Sequence, residues 1–532
     1  MDQLEQPEDL IVCKLDGDRV PPSPCTVVIV GATGELTARK LIPALYQLHR
    51  ANALPQPTRI IGFARKEHTL DSWRNELFDA LLKHSRTKPV DRTAWDSFAS
   101  CLAYCRGELS DPNAYAALEQ AISTTNDQQL AENRLFYLAI PPSQFGPVVE
   151  MLHQTGVFRR DPSPPFWNRI VIEKPFGHDL ASARQLNATL TKHTHENQLF
   201  RIDHYLGKET VQNILMFRFA NSIFEPIWSR QTVDYVQITL SEQAGVGSRG
   251  GYYEEAGALR DVVQNHLLQV LALVTMEPPV SLEAESIRDE KVKVLKSIRA
   301  PGPQDVVRGQ HTEGSIDGRP CPAYRTEPKV NPNSNVETYV ALRLQIDNWR
   351  WAGVPFYLRT GKRLPINVSE VRVQFRQTPN VLFAARCGEN LDTNAIILRL
   401  QPEEGISLRF NGKVPGTSMQ VRPVRMHFSY DAEFGAYTPE AYERLLLDAI
   451  DGDATLFLRR DEVEVCWAIV DRIRTLWGDS PLTQNEFYPA GTWGPPCANE
   501  LLKRHNHSWR DPRPVCGDTP ANPRTVVESQ PR

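Results

Sequence analysis

Between Arg201 and Glu209 the chain reads Arg-Ile-Asp-His-Tyr-Leu-Gly-Lys-Glu, which sets a carboxylate (Asp203), an imidazole (His204), a phenol (Tyr205) and an ammonium (Lys208) close together. His204 and Lys208 are four residues apart, so a helical turn here would put both on one face. An imidazole, a phenol and an ammonium are hydrogen-bond donors of the kind that grip a phosphate monoester. Asp203 would repel that anion. It is free instead to orient a base elsewhere in the chain, as the carboxylate of a Ser-His-Asp system orients its histidine. The plain alternative is a solvated, charged helix start.

Other stretches carry chemistry of their own. Thr26–Val30 is a β-branched run that leads straight into Gly31-Ala-Thr-Gly34, followed by a helical pattern through Leu48. Strand, glycine turn and helix aim backbone N–H groups at a pyrophosphate. The glycine spacing is GxxG rather than GxGxxG, so position after a strand carries the reading more than the glycines do. The next strand, Arg59–Ala64, ends in Arg65-Lys66. An acidic residue at such a strand end suits NAD, whereas a basic one suits the 2′-phosphate of NADP, which makes Arg65 the candidate cofactor selector. After a short strand near Leu102–Tyr104, the strand Arg134–Ile140 stops at Pro141-Pro142, and a further one, Arg169–Ile172, ends in Glu173-Lys174-Pro175, so Lys174 sits at a strand tip where it could touch both cofactor and substrate. A helix is expected over Gly257–Met276, with Asp261 and His266 among Val262, Leu267, Leu268, Val270 and Leu271. A histidine in so apolar a helix is either a satisfied core residue or a catalyst.

Composition bounds the rest. A chain of 532 residues is too long for one core and is expected to form two or three domains. Its net charge of −4 gives no reason to expect nucleic acid or an anionic membrane as partner. No apolar run reaches the roughly 20 residues a bilayer span needs, and the acidic start Met1–Leu10 does not read as a secretory signal. The nine cysteines are scattered, without CxxC spacing, which suits a reducing, cytoplasmic setting and signals no metal site.

The fold expected is an α/β, Rossmann-like dinucleotide-binding domain followed by a larger α+β domain with a mostly antiparallel sheet. Strands and helices alternate up to about residue 203. Beyond it strands succeed one another at Val233–Ser241, Val336–Ile346, Val371–Phe375, Ala395–Leu400, Ile406–Phe410 and Val421–Tyr430, most alternating apolar and polar as if one sheet face were covered. The domains expected are a flexible tail over 1–20, the dinucleotide-binding domain over 21–203, a substrate and dimerisation domain over 204–510, and a Pro-rich, disordered tail over 511–532.

Several stretches together resemble one family, glucose-6-phosphate dehydrogenase, in its bacterial style. They include GATGELTARKL from Gly31, RIVIEKPFGHDL from Arg169, RIDHYLGKE from Arg201, SRGGYYEEAGALRDVVQNHLLQVL from Ser248, and YPAGTWGP from Tyr488. The resemblance implies oxidation of D-glucose 6-phosphate to 6-phospho-D-glucono-1,5-lactone, the first step of the oxidative pentose phosphate pathway, with NADP as cofactor. It implies His266 as general base, Asp203 as its orienting partner, and His204, Tyr205 and Lys208 as the phosphate grip. Lys174, Glu242, Asp261 and Lys362 are then contacts to sugar hydroxyls and the nicotinamide side. Gly31, Thr33, Gly34, Glu35, Leu36, Lys40, Arg65 and Pro142 fall at cofactor positions. A homodimer or homotetramer built through the C-terminal sheet is implied as well.

Two departures stand out. Glu35 replaces the family's usual Asp, one methylene shorter, and Asn367 stands where a second basic residue is usual, so that substrate contact is not carried over. The carboxylate beside His266 is expected to raise its pKa and fix its tautomer. An oxidoreductase for an unphosphorylated sugar and a non-catalytic paralogue are the competing readings; the grip at His204, Tyr205 and Lys208 would have no purpose in the first, and intact His266, Asp203 and Lys174 argue against the second.

Overall fold

The computed structural model describes residues 22–379, 392–417, 420–435, 440–478 and 480–512. The expected tail over 1–20, and all of the C-terminal tail beyond Pro512, lie outside the described residues. The chain forms two compact units. The first runs to Ile140 and adds Met151–Ile170 and Leu446–Gly452; the second holds Pro141–Glu150, Val171–Leu445 and the residues from Asp453 on.

In the first unit, β1 (Cys25–Val30), β2 (Thr58–Ala64), β3 (Leu102–Arg106) and β4 (Arg134–Leu138) pair in parallel in the order β4-β1-β2-β3. Every residue of β1 and β4 is buried, as continuous apolar runs in a parallel sheet should be. β5 (Asn168–Ile172) carries the chain into the second unit and delivers Glu173 and Lys174; the Lys174–Pro175 peptide is cis.

The second unit begins its own strands with β6 (Leu199–Ile202), which leads into the Asp203–Lys208 stretch. Its large sheet draws on β7 (Val233–Ser241) and β8 (Val306–Thr312), passes over a small hairpin of β9 (Gly314–Ile316) and β10 (Arg319–Cys321), and continues with β11 (Tyr339–Gln345), β12 (Pro355–Gly361), β13 (Val368–Phe375), β14 (Ala395–Gln401), β15 (Gly405–Lys413) and β16 (Val421–Ser429). The two-residue β17 (Phe457–Leu458) pairs antiparallel with β6, and β18 (Phe487–Pro489) closes the far edge of the large sheet. The order is β16-β15-β14-β13-β7-β12-β11-β8-β18, antiparallel throughout except β7–β12 and β8–β18.

The alternation along these strands does not mean a wet face. All seven residues of β12 are buried, and so are polar residues of its neighbours. The polar face is covered by the C-terminal segment. Gln237 Nε2 donates to Ser508 O at 2.8 Å, Arg359 pairs with Asp511 at 2.8 Å, and the Arg359 guanidinium lies over the Trp493 and Trp509 rings. Buried Glu370 is compensated by Arg399 at 2.8 Å. A buried charge needs such a partner, which is why polar residues on this face come as pairs.

Two local expectations fail. Asp203–Lys208 is a turn, not a helix; the helix Glu209–Phe219 starts only after Lys208, whose ψ of 134° is extended. The reason is Asp203 itself. Its Oδ1 accepts the Tyr205 N–H at 2.9 Å, and Asp203 O accepts the Leu206 N–H at 3.0 Å, an Asx turn that competes with helix. The second failure is Gly257, which sits at φ +62°, ψ 175° and breaks the helix expected from that residue. Leu259–Leu267 is wound as a π-helix and only Leu268–Thr275 is α-helical. Glu337 caps the π-helical start, its Oε1 accepting the Leu259 N–H at 3.0 Å, and a Cβ on Gly257 would meet that same oxygen at 2.2 Å.

Gly257→Ala should therefore cost about 1–3 kcal/mol in urea unfolding, through the left-handed backbone and the clash together. An unchanged midpoint would show that the kink is not required.

Candidate active site

His266 and Asp203 meet. His266 Nδ1 lies 2.5 Å from Asp203 Oδ1, and both side chains are at most 5 % exposed. The carboxylate oxygen can only accept, so Nδ1 carries the proton and Nε2 is left with a bare lone pair. Lys174 Nζ donates to that Nε2 at 3.1 Å. The ammonium is held in place by two further bonds, to Asp261 O at 3.0 Å and Asp261 Oδ1 at 3.1 Å. Tyr252 donates to the same Oδ1 at 3.3 Å.

The π-helix makes this possible. In an α-helix residues five apart are turned by about 140° from one another. The i→i+5 bonding of a π-helix stacks them, so Asp261 and His266 reach the same ammonium. A second acid–base pair stands at the ends of two sheet strands. Glu242, just past β7, bonds Lys362, just past β12, and Lys362 Nζ lies 5.6 Å from the centre of the Tyr253 ring. Asn367 accepts the Gln243 N–H at 2.7 Å, so it ties down the backbone next to Glu242.

The rings of the Asp203–Lys208 turn pack on the Asp203–His266 pair. Tyr205 stacks on His266 with centroids 4.3 Å apart, and His204 meets His266 edge-on at 4.6 Å. Lys208 Nζ sits 3.6 Å from the Tyr205 ring centre and bonds Gln401 Oε1. The Tyr205 hydroxyl is held by Ser369 Oγ at 3.2 Å and Gln401 Nε2 at 3.3 Å. Ser369 and Gln401 come from β13 and β14. Nothing in their own stretches marks them; only pairing of those strands brings them here.

Electrostatics set the protonation states. Burial lowers the His266 pKa below its ordinary 6.5; Asp203 raises it, but not enough, since Lys174 also lowers it. The expected rise from the carboxylate is thus outweighed by desolvation, and the resting imidazole is neutral. Burial works to raise the Asp203 pKa, but the His266 and His204 imidazoles and the Tyr205 amide win, and it stays ionised. Burial likewise opposes ionisation of Asp261, and Lys174 and Lys362 overcome it. Burial pushes Lys208 down to about 8 against the pull of Asp203, Glu404 and Glu242, so its ammonium gains from an incoming anion. Asp203, His204 and His266 offer ligand atoms within 4.8 Å of one another. A cation is nevertheless poorly suited there, since the Lys174 ammonium already stands at Nε2 and Nδ1 is engaged by Asp203.

In the first unit, the end of β1 forms a cradle. Gly31 has φ +92°, and a Cβ on it would meet Ala139 O at 2.3 Å, so only glycine lets the turn pass this closely. The Gly31 N–H donates to Phe63 O at 2.9 Å, which brings the end of β2 beside the turn, two residues before Arg65. Thr33, Gly34 and Leu36 are half-buried along the turn, Glu35 pairs with Arg39 at 2.5 Å, and half-buried Lys40 follows on the helix. Arg65 is exposed and, among the described residues, has no carboxylate within ion-pair distance, whereas Lys66 pairs with Glu76 at 3.2 Å. A narrow glycine turn with an unpaired guanidinium at the next strand end fits a dinucleotide carrying a 2′-phosphate. Pro142, in the second unit, opens the short turn Pro142–Gln144.

Comparisons with known proteins agree from residue 28 to residue 510. Residues 28–213 match the family model described as glucose-6-phosphate dehydrogenase, NAD binding domain, and residues 215–510 match glucose-6-phosphate dehydrogenase, C-terminal domain. Glucose-6-phosphate 1-dehydrogenase 2 of Mycobacterium tuberculosis is 45% identical over 492 residues, covering 92% of this chain and 95% of that one. Glucose-6-phosphate 1-dehydrogenase of Chlamydia pneumoniae is 45% identical over 505 residues, covering 93% and 98%. Among solved structures, a glucose-6-phosphate dehydrogenase in complex with its substrate glucose-6-phosphate aligns with a TM-score of 0.84 at 36% identity, over 92% of this chain and 100% of that one. The enzyme from Mycobacterium avium aligns at 0.79 and 38%, with the same coverage.

The charge balance around His266 predicts that its imidazole, followed by NMR in the ligand-free protein, stays neutral below pH 6.5 and protonates only at lower pH. A midpoint above 7 would mean that Asp203 outweighs burial.

Proposed function

The chain belongs to the glucose-6-phosphate dehydrogenase family, and on that premise we propose that it oxidises glucose 6-phosphate with His266 as the base and Asp203 as the group that orients it. It is an NADP-dependent oxidoreductase acting on the CH–OH group of a sugar phosphate, and its product is 6-phospho-D-glucono-1,5-lactone. The observation that carries the residue assignment is the 2.5 Å contact between His266 Nδ1 and Asp203 Oδ1, because it leaves Nε2 unprotonated and able to accept, as it does from Lys174.

In the proposed reaction the C1–H pair leaves as hydride while the O1 proton passes to His266 Nε2, and the C1–O1 bond becomes the lactone carbonyl. When bound, NADP+ supplies the acceptor for that hydride. The imidazolium that forms is stabilised by Asp203, which stays ionised. Lys174 marks the place for O1. Its ammonium is anchored by Asp261 and already bonds Nε2, so an O1 hydroxyl entering there would meet both a donor and a base. Glu242, Lys362 and Asp261 are assigned to the sugar hydroxyls. His204, Tyr205 and Lys208 are assigned to the phosphate, with Lys208 exchanging its Gln401 bond for a phosphate oxygen. The phosphate is remote from C1, so its binding energy orients the reacting end.

Gly31, Thr33, Gly34, Glu35, Leu36 and Lys40 are assigned to the dinucleotide, with Arg65 to its 2′-phosphate, and Pro142 and Lys174 to the nicotinamide side. A homodimer or homotetramer through the C-terminal sheet is proposed; the outer strand β16, where Met426 is 61% exposed, supports it. A cytoplasmic setting is proposed too, supported by free cysteines at 25, 101, 105, 321, 466 and 497. Among the described residues no helix is long and apolar enough to cross a membrane.

Steady-state kinetics separate the roles. His266→Asn should lower kcat by about 10²-fold or more with little change in KM for glucose 6-phosphate, the size expected for a lost general base. Lys208→Ala should mainly raise KM. Equal effects of both substitutions on both constants would contradict the division of roles.

A further inference from the structure

The π-helix that carries His266 has a second polar surface. Arg260, the residue before Asp261, lines an open cavity of about 490 Å³ with Arg308, Asn335, Glu337, Arg474 and Trp477. Three guanidinium groups thus share one space with a single lining carboxylate. Arg308 is spoken for: it donates to Glu486 at 3.0 Å and to Ser480 O at 2.7 Å. The Glu337 carboxylate is engaged with the Leu259 N–H. Arg474 donates to Asp471 at 3.3 Å and to His178 O at 3.4 Å, and is exposed.

Arg260 differs from both. Its one side-chain bond is from Nε to Ala256 O at 2.9 Å, and among the described residues no carboxylate lies within ion-pair distance of it. Half-buried, it carries its charge against desolvation first and the repulsion of Arg474 second, which outweigh the pull of Glu337 and Glu255 and lower its pKa. Glu337 and Glu255 pull on Arg260 and Asp471 pairs with Arg474, but among the described residues no carboxylate is within ion-pair distance of both guanidinium groups, so an anion between them would be stabilised by both. Trp477, half-buried at the same cavity, adds a flat apolar surface. A guanidinium pair beside an indole is the pattern that takes a phosphate on one side and a ring on the other.

We infer that this cavity is a binding site for a ring-bearing phosphate monoester of nucleotide size, separate from the Lys174–His266 site, its phosphate between Arg260 and Arg474 and its ring on Trp477. Its distance along the chain from the catalytic group is one residue, from Arg260 to Asp261, which gives an occupant a direct route to the Lys174 anchor.

Calorimetric titration of the full chain tests this. Saturating NADPH and glucose 6-phosphate fill the cofactor and sugar sites without turnover, and guanosine 5′-monophosphate is the probe. One molecule should bind per chain, and Arg474→Ala and Trp477→Ala should each weaken it about tenfold or more, the loss expected for a charged hydrogen bond or a stacked ring. Inorganic phosphate in place of the nucleotide should lose affinity with Arg474→Ala but not with Trp477→Ala. Neither residue belongs to the catalytic site, so retained oxidation of glucose 6-phosphate reports that both variants are folded. No nucleotide binding to the unmodified chain, or binding that neither substitution changes, overturns the inference.

Discussion

The structure of the site depends on one buried contact, a carboxylate against an imidazole. Taking both groups out of water is costly unless each compensates the other. Asp203 meets that demand with one oxygen that accepts from both His266 Nδ1 and the Tyr205 amide, while its other oxygen has no hydrogen-bond partner among the described residues. Two backbone devices hold the partners there. On one side an Asx turn ends β6 and fixes the carboxylate. On the other a π-helix, started by the kink at Gly257 and capped by Glu337, turns His266 and Asp261 to the same side. Relaxing either device to an ordinary helix would separate groups that must lie within bonding distance.

Around that contact charges alternate: Asp203, His266, Lys174, Asp261, then Lys362 and Glu242. Asp203 and Asp261 are kept ionised by neighbouring bases against their own burial. The imidazole is the exception, held neutral by desolvation and by the ammonium next to it. A neutral base beside a fixed ammonium is arranged for a hydroxyl to enter, since the hydroxyl can accept from one and donate to the other. Lys208 stands apart with a softened charge near pH 8, gaining most when an anion arrives.

Much of this was legible in the sequence, and the limits have physical reasons. The strand, glycine turn and helix from Cys25 announced themselves because a buried parallel strand is a continuous apolar run and Gly31 needs a backbone no other residue adopts easily. The basic residue after β2 could be read for the same reason of position. The pairing of Asp203 with His266 rested on resemblance, because no spacing rule joins residues 63 positions apart. Strands β8 and β12 were not foreseen. Val-Val-Arg-Gly-Gln-His-Thr does not alternate, and β12 is buried on both faces, its polar side chains covered by a C-terminal segment that pattern alone cannot place. The π-helix escaped too, since Leu259–Leu267 has an amphipathic pattern compatible with an ordinary helix. Ser369 and Gln401 are invisible for the simplest reason: they matter only because strand pairing carries them to Tyr205.

The most direct measurement of the central contact is the turnover of Asp203→Asn. An amide at this position keeps the shape of the carboxylate but loses the charge, and can present an N–H where Nδ1 needs an acceptor. The account predicts that kcat falls by about 10²–10⁴-fold with KM for glucose 6-phosphate little changed, because the imidazole loses its tautomer and its ion partner while the phosphate grip is intact. A kcat within about threefold of the unmodified enzyme, in a protein that still folds, would contradict it, since orientation of the base would then be worth less than about 1 kcal/mol.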